Sequence, residues 1–564
     1  MHGRVKVKTT AEQEEEKRKE REKKLEKYRS ASNRIEEKRQ RGELDDELLK
    51  ITGQVLMSNP DDATLWNVRR EVFDKYFVER KNNLKELARM ELQLTELALQ
   101  KNPKSYGAWS HRTWAMETFP AMDWDKELSL CNLFLDMDER NFHCWDYRRF
   151  VCDHANVSLE KELEFTMQKI AANFSNYSAW HYRSFLLPKL FPGAVQGSVR
   201  EEILLQEYNL VQNATFTDPS DQSAWFYHRW LTGRESPPLD FLLFRVSRSK
   251  HQIIINLTKP IRLDQMQLIL KINGTSVPTK WEAPGRPCSS SLWCHKMNKD
   301  ILIGDCDYMF QVFLQSSDVV LASATVSLCA SDHEAQYSGK IPRNRLFSCE
   351  LSAARTSVLQ DELEACQQLH QLEPDNKWPL LTCVLLMRAL DGQKHKTEIE
   401  DFLSQLCKVD STRKNYYQDL MSKFAVERII ENLEDHSSSV AFVNCGLTSI
   451  RHTDHLVLMQ QVDLSNNALT SLRPLCCLIN LRNLTANDNK IEDCVGLDNL
   501  LELTTLSLRR NSISSTGGIA SLATCPQLVE LHLEGNLICD DVGFKSSICG
   551  VIPQLRALNG ENCQ

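Results

Sequence analysis

Three stretches decide the fold of this chain: PKSYGAWSHRTW (residues 103–114), RNFHCWDYRRF (140–150) and SNYSAWHYRSF (175–185). In each of them a tryptophan is followed three residues later by an arginine. Further tryptophans continue the series at intervals of 35 to 45 residues. A fixed interval of this size indicates a repeated supersecondary unit. The five tryptophans of the series are Trp66, Trp109, Trp145, Trp180 and Trp225.

An Asn or Asp stands seven residues before each of these tryptophans, and three of the five are followed by proline. An Asx-Pro pair favours the start of a helix, because proline is tolerated in the first turn. Amphipathic segments such as residues 91–100 and 127–135 precede the motifs, with apolar residues three and four apart. Each unit is therefore predicted to be a helix, a short turn and a second helix that carries the Trp and the Arg.

Helical hairpins of this kind must stack to bury their apolar faces, which predicts an α-α solenoid. We interpret most of the Trp and Arg residues as packing groups, with each guanidinium bonded to carbonyls or acids between layers. The tetratricopeptide repeat, at about 34 residues, is the nearest alternative, but it lacks this pattern. A sixth, degraded copy is predicted around Trp378, after a helix over residues 356–372; Pro379 follows that tryptophan and no arginine stands at the expected place.

In residues 243–346 the sequence pattern differs from that of the helical repeats. The segments HQIIINLTKPI, QMQLILKING and DYMFQVFLQ are rich in β-branched residues and are separated by turn signals such as Asn273-Gly274. About 100 residues of short strands predict an immunoglobulin-like β-sandwich inserted in the solenoid. It shows no cluster of titratable residues, so an interaction or spacer role is expected.

The C-terminal residues 438–564 carry the pattern L-x-L-x-x-N-x-L, typical of about five leucine-rich repeats. Its reference position recurs at intervals of 22, 22, 22 and 25 residues. The leucines are expected to form the core and the asparagines to bond the backbone at each turn, while only the concave strand face could bind a partner. The reference positions are Cys445, which opens the array as a capping unit would, Asn467, Asn489, Asn511 and Asn536.

Amino-acid composition further narrows the classes of protein to which this chain could belong. The net charge is −8, so there is no overall basic field to hold nucleic acid. No stretch approaches the roughly 20 apolar residues of a membrane span, and the N-terminus lacks the apolar core of a secretory signal. Nineteen cysteines without a C-x-x-C pair are then interpreted as reduced thiols. We expect a soluble, cytoplasmic, multidomain protein.

The remaining boundaries follow from these elements. Residues 1–43 are predicted to be a charged helical extension, because residues 11–50 hold 13 basic and 13 acidic side chains at helical spacing. Residues 44–242 would hold repeats one to five, and 347–437 the sixth repeat with connecting helices. His2 is interpreted as an unliganded terminal histidine, with contact to a metal as the alternative.

The Trp-Arg motifs resemble the repeats of protein prenyltransferase α subunits over residues 44–240. The complete order, a helical solenoid with an inserted sandwich and leucine-rich repeats, is similar to the Rab geranylgeranyltransferase branch of that family. The resemblance implies a heterodimer with a β subunit that holds the catalytic zinc and the lipid pocket. It also implies transfer of geranylgeranyl from geranylgeranyl diphosphate to C-terminal cysteines of Rab GTPases presented by an escort protein.

The resemblance also points to site residues. The family motif carries a lysine five residues and a tyrosine three residues before the second tryptophan, here Lys104 and Tyr106, which would lie near the diphosphate. In the third repeat the family's Tyr-His pair becomes Phe142-His143, so the first hydroxyl is absent. The alternatives are a solvated cation for Lys104 and interface packing for Tyr106 and His143. The alternative function is a non-catalytic helical-repeat and leucine-rich-repeat adaptor, which would not need these residues.

Overall fold

The computed structural model describes residues 11–80, 83–120, 122–193, 199–232, 238–285, 287–298, 306–317, 319–342, 346–347, 356–434 and 437–563. The chain divides into two compact units, Met1–Arg200 with Asp221–His228, and Glu201–Ser220 with Arg229–Gln564. Within the described residues, no helix combines the length and the apolar character needed to cross a bilayer. His2 and the rest of residues 1–10 lie outside the described part.

Sixteen α-helices are found in the described residues. They are α1 Ala11–Gln40, α2 Asp46–Ser58, α3 Ala63–Glu79, α4 Leu84–Lys101, α5 Tyr106–Thr118, α6 Trp124–Met137, α7 Phe142–His154, α8 Leu159–Ala172, α9 Tyr177–Leu190, α10 Glu201–Thr217, α11 Gln222–Leu231, α12 Thr356–Leu372, α13 Lys377–Asp391, α14 Lys396–Val409, α15 Lys414–Glu431 and α16 Phe544–Val551. Helices α3, α5, α7, α9 and α11 each carry one tryptophan of the series, which confirms the predicted hairpins.

The Asx-Pro pairs do not start these helices, contrary to the prediction. Asn102 ends α4, and its backbone N–H donates to the carbonyl of Ala98 at 2.9 Å. Helix α5 begins only at Tyr106, where the Ser105 hydroxyl caps it by accepting the N–H of Ala108 at 3.3 Å. A proline is also common just after a helix C-terminus, because it cannot continue the helix. Asn59, Asp138 and Asn173 end their helices in the same way.

Each tryptophan of the first four repeats closes the turn before its own helix. The indole N–H donates to the carbonyl six residues earlier at 2.7–2.8 Å, and the rings are at most 5% exposed. The pairs are Trp66 with Pro60, Trp109 with Pro103, Trp145 with Glu139 and Trp180 with Phe174.

The motif arginines join three consecutive helices. In α5, Arg112 donates through Nε and Nη2 to Glu127 of α6, both at 2.7 Å. Its Nη1 donates to the Leu92 carbonyl and the Thr95 hydroxyl of α4, both at 2.8 Å. Arg69 and Arg148 make the same type of contact with Glu91 and Glu162. These contacts agree with the structural interpretation of the arginines.

The same carboxylates bind the residue two positions after the next tryptophan. Glu127 accepts the hydroxyl of Tyr147 at 2.6 Å, and Glu91 accepts Nε2 of His111 at 2.7 Å. A buried carboxylate is stable only when its lone pairs are satisfied. Each glutamate therefore ties an arginine of one repeat to an aromatic or imidazole ring of the next.

The degraded sixth copy also folds as a hairpin, formed by α12 and α13. The Asn376 side chain caps α13 by accepting the N–H of Trp378 at 3.0 Å, and it donates to the Pro219 carbonyl at 2.9 Å. Pro379 lies in the first turn of α13, where the missing N–H costs no helical hydrogen bond. The buried Leu381 occupies the position of the motif arginine.

Residues 241–338 contain two four-stranded sheets. One has the order β5-β2-β1-β8 and the other β4-β3-β6-β7, and every hydrogen-bonded neighbour is antiparallel. Side chains of both sheets, such as Ile253 and Phe310, belong to one buried apolar cluster. The strands are β1 Phe241–Ser247, β2 Gln252–Ile261, β3 Gln267–Ile272, β4 Thr275–Val277, β5 Ser290–Lys296, β6 Tyr308–Ser316, β7 Val319–Leu328 and β8 Glu334–Ser338.

The C-terminal residues coil into an array with one short parallel strand per turn. Asn489 shows how neighbouring turns are joined: its amide donates to the Leu464 carbonyl at 2.9 Å, and its oxygen accepts the N–H of Leu469 at 3.0 Å. The strands are β9 Ser439–Ala441, β10 Gln461–Asp463, β11 Asn483–Thr485, β12 Thr505–Ser507, β13 Glu530–His532, β14 Ala557–Leu558 and the antiparallel β15 Glu561–Asn562, with intervening 3₁₀ segments at Thr453–Leu456, Arg473–Cys477, Thr516–Thr524 and Leu537–Asp540.

Candidate functional site

The structure brings the predicted site residues of two repeats together. Tyr106 begins α5, and Phe142 and His143 begin α7. The Tyr106 ring meets the His143 ring edge-on, with centroids 4.2 Å apart, and lies 6.3 Å from the Phe142 ring. Stacking of the second hairpin on the third therefore creates one cluster from positions 36 and 37 residues apart.

Lys104 lies in the turn before α5, two residues ahead of the first helical residue, because the helix starts later than the sequence indicated. Its backbone N–H donates to the Asn102 side-chain oxygen at 3.2 Å. The ammonium is 3.6 Å from the carboxylate of Asp138, and the Lys104 side chain is 68% exposed. A cation so placed can turn toward an anion that arrives at this turn.

His143 is buried beneath these groups, and its surroundings favour the neutral imidazole. Burial lowers its pKa, Asp146 raises it, and the positive charge of Lys104 lowers it again. A neutral ring at physiological pH can accept or donate one hydrogen bond and adds no positive charge beside Lys104. The site therefore holds one exposed cation, one phenol and one neutral imidazole.

Aromatic side chains continue from this cluster along the repeats. Tyr106 is 72% exposed, and Phe142, Tyr177 and Phe226 are 41–51% exposed. Tyr177 contacts Phe226 edge-on at 6.0 Å. The first three occupy the same place, three residues before the motif tryptophan. A row of exposed aromatic rings is typical of a surface that another molecule covers.

Sequence reasoning missed two charged groups of the site. The sequence marks Asp138 only as the Asn or Asp seven residues before a motif tryptophan, whereas in the structure its carboxylate, at the end of α6, faces Lys104. Asp146 lies one helical turn after His143 and pairs with Arg149. The i,i+3 spacing of His143 and Asp146 was the available signal for the second group; no comparable local signal marked the first.

The described residues contain no group of three or more His, Cys, Asp or Glu side chains arranged to hold a metal ion. The cluster offers groups suited to an anion: an ammonium, a phenolic hydroxyl and an imidazole. Phosphate-bearing ligands are bound by such donors. This part of the chain can neutralise and orient an anionic group.

Comparison with known proteins places these features in a family. The model of the "Protein prenyltransferase alpha subunit repeat" matches residues 88–119, 124–155, 159–190 and 204–234. Geranylgeranyl transferase type-2 subunit alpha of Mus musculus is 42% identical over 568 residues, covering 99% of this chain and all of that protein, and the Homo sapiens protein gives the same values. The protein of that name in Dictyostelium discoideum is 30% identical and covers 75% of this chain and all of its own length.

A solved structure, Candida albicans protein geranylgeranyltransferase-I complexed with GGPP, is 16% identical with a TM-score of 0.40. It covers 71% of this chain and 91% of its own.

Proposed function

Because this chain belongs to the family of type-2 geranylgeranyl transferase alpha subunits, we propose that it works as one half of a prenyl-transferring heterodimer. The reaction moves a geranylgeranyl group from geranylgeranyl diphosphate to C-terminal cysteines of Rab GTPases presented by an escort protein. The observation that supports this proposal is the cluster of Lys104, Tyr106 and His143, in which an exposed ammonium, a phenol and a buried imidazole lie at the positions that the family resemblance assigns to the site. The setting would be the cytoplasm.

The β subunit would cover the row of exposed aromatic rings and supply the groups that this chain lacks. It would hold the zinc ion, which lowers the pKa of the acceptor thiol so that a thiolate can attack. It would also provide the apolar pocket for the lipid. The alpha chain would contribute donors for the diphosphate at the edge of that pocket.

The chemistry assigned to this chain is charge compensation. As the bond between the isoprenoid carbon and the diphosphate oxygen breaks, negative charge grows on the leaving oxygen atoms. The exposed Lys104 ammonium can offset that charge, which stabilises the transition state more than the ground state. The Tyr106 hydroxyl and the neutral His143 ring can each donate a hydrogen bond to the same group.

The remaining modules would serve partners. We propose that the paired sheets are an immunoglobulin-like sandwich, spanning about residues 243–346, and that the coiled array from residue 438 is a leucine-rich repeat domain. The one-strand turns, the buried leucines and the asparagine contacts support the second assignment. Both modules are proposed to hold protein partners without taking part in the chemistry.

The first experiment measures prenyl transfer with the alpha chain alone, the β subunit alone and both together. We expect activity only from the mixture, and zinc by elemental analysis only in samples that contain the β subunit. Stoichiometric zinc in the isolated alpha chain would contradict this division of labour. A stable complex without prenyl transfer to any Rab substrate would favour the adaptor.

The second experiment tests Lys104 in the heterodimer. Lys104→Ala is expected to slow single-turnover transfer about 10- to 150-fold, because a hydrogen bond to a charged group contributes about 1.5–3 kcal/mol. Lys104→Arg should recover part of the rate. The exposed Lys101, at the end of α4, provides the control Lys101→Ala. A wild-type single-turnover rate in Lys104→Ala would remove Lys104 from the reaction.

A further inference from the structure

Asp138 presents a carboxylate in a fixed position opposite Lys104. Its backbone N–H donates to the Phe134 carbonyl at 3.0 Å, which ends α6. Its Oδ1 accepts the N–H of Arg140 at 3.1 Å, which holds the side chain in an Asx turn. The second oxygen, Oδ2, is left to face the Lys104 ammonium at 3.6 Å. One backbone hydrogen bond thus holds the carboxylate through Oδ1, which leaves Oδ2 for the lysine.

The fold does not require a carboxylate at this place. Asn102 and Asn173 occupy the equivalent position in the neighbouring repeats, and their side-chain oxygens accept the same N–H, two residues on, at 3.2 and 2.9 Å. An asparagine therefore completes the turn equally well. Their side-chain nitrogens face carboxylates, Asp61 and Glu139 respectively. Among these three turns, only the one at Asp138 directs a negative charge at a cation.

A carboxylate beside an anion-binding lysine opposes the binding of the anion. The diphosphate and Oδ2 of Asp138 compete for the same ammonium. The cost is moderate because the Lys104 side chain is 68% exposed and that of Asp138 is 37% exposed, and ion pairs in contact with solvent are weak. The charge therefore weakens the hold of the site on both the diphosphate substrate and the diphosphate product.

We propose that Asp138 is a positioning residue that acts through Lys104. It keeps the ammonium at the turn while the site is empty and sets the affinity for diphosphate low enough for the product to leave. The inference rests on the proposed function. It predicts that removing this negative charge makes the site bind diphosphate more tightly.

The test uses Asp138→Asn in the complete heterodimer, with inorganic diphosphate as an inhibitor and geranylgeranyl diphosphate as the substrate. Asparagine keeps the Asx-turn acceptor, so the fold is retained. We expect the inhibition constant of inorganic diphosphate and the KM for geranylgeranyl diphosphate each to fall about 2- to 5-fold. The change in KM should exceed the change in kcat. Unchanged or weaker diphosphate binding would overturn the proposal.

A matched control lies two residues away. Asp136, whose side chain is 68% exposed, pairs at 2.6 Å with Lys169, whose side chain is 15% exposed, between α6 and α8. Asp136→Asn removes the same charge and should change the inhibition constant by less than about 1.5-fold. An equal gain of diphosphate affinity in this variant would show a general charge effect and would overturn the specific role of Asp138.

A double variant distinguishes failure of the inference about Asp138 from failure of the proposed role of Lys104. In the Lys104→Ala background, Asp138→Asn should change the inhibition constant by less than about 1.5-fold, because the carboxylate acts through the lysine. A full gain in that background overturns the proposal. If Lys104→Ala weakens diphosphate binding but Asp138→Asn has no effect, only this inference fails. If Lys104→Ala has no effect on binding or rate, the proposed role of the lysine fails as well.

Discussion

The helical repeats and the C-terminal coils differ in the buried groups that join one unit to the next. Both must bond successive units through their interior. The helical repeats use buried charges, as in the contact of Arg112 with Glu127, whereas the coils use neutral amides such as Asn489. Burying an ion pair has a large desolvation cost, so each arginine binds several partners. Burying a neutral amide has a smaller desolvation cost. In the first coil of the array, Cys445 takes the place of the asparagine.

The largest expected effect comes from breaking one buried ion pair. Arg112→Met leaves Glu127 charged and buried, and should lower the free energy of unfolding of the helical repeats by about 3–5 kcal/mol. Denaturant unfolding followed by tryptophan fluorescence measures this, because eight of the eleven tryptophans lie in residues 66–230.

Two variants control this experiment. Adding Glu127→Gln to Arg112→Met removes the stranded charge and keeps an acceptor for Tyr147, so much of the loss should be recovered. Arg89→Met, which breaks only an exposed contact with Glu86, should change stability by less than about 1 kcal/mol. A loss in Arg89→Met equal to that in Arg112→Met would show that burial is not the decisive factor.

Removing one amide from the coils should have a smaller effect. Asn489→Ala leaves the Leu469 N–H without its partner, at about 1–3 kcal/mol for the buried group, while the Leu464 carbonyl still accepts the Asn467 amide at 2.8 Å. Faster hydrogen exchange in β10 and β11 measures the loss. Cys445→Ala removes only a weak contact from sulfur to the Val443 carbonyl at 3.5 Å, and should cost less than about 1 kcal/mol. Equal effects of both variants would contradict the amide interpretation.

Lowering the pH should reduce the stability that buried carboxylates give the helical repeats, and should not change the contribution of the asparagine amides in the C-terminal coils. Burial would raise the pKa of Glu91, but the charge of Arg69 and hydrogen bonds from Arg69 and His111 lower it to about 2. Because the folded-state pKa lies below the ordinary value, this contribution is complete above about pH 4.5 and is lost as the pH falls toward 2. The loss reaches about 1 kcal/mol by pH 3.5.

Unfolding free energies of wild type and Glu91→Gln between pH 5 and 3 measure this contribution. The gap between the two proteins should narrow as the pH falls, because the glutamine variant lacks the titrating group. Asparagine amides do not titrate, so the Asn489→Ala loss should stay constant over the same range. A gap that widens in acid would show that Glu91 has the opposite pKa shift.

The sequence by itself determined the elements of both arrays. Helical periodicity and the recurring tryptophan are local signals, and so is the 22-residue interval of the asparagines. The sixth hairpin around Trp378 was predicted despite its lost arginine, because the amphipathic helix before it was intact. The sequence pattern and the family resemblance together also named Lys104, Tyr106 and His143, which the structure places in one cluster.

Only the tertiary structure decided how these elements begin and which charges meet. Proline after Asn102 fits both a helix start and a helix end, and the cap on Ser105 chooses the second. Lys104 and Asp138 are 34 residues apart in the chain, and no local pattern pairs them among 76 acidic side chains. The stacking of one hairpin on the next brings them within 3.6 Å, because contacts between repeats depend on packing and not on sequence spacing.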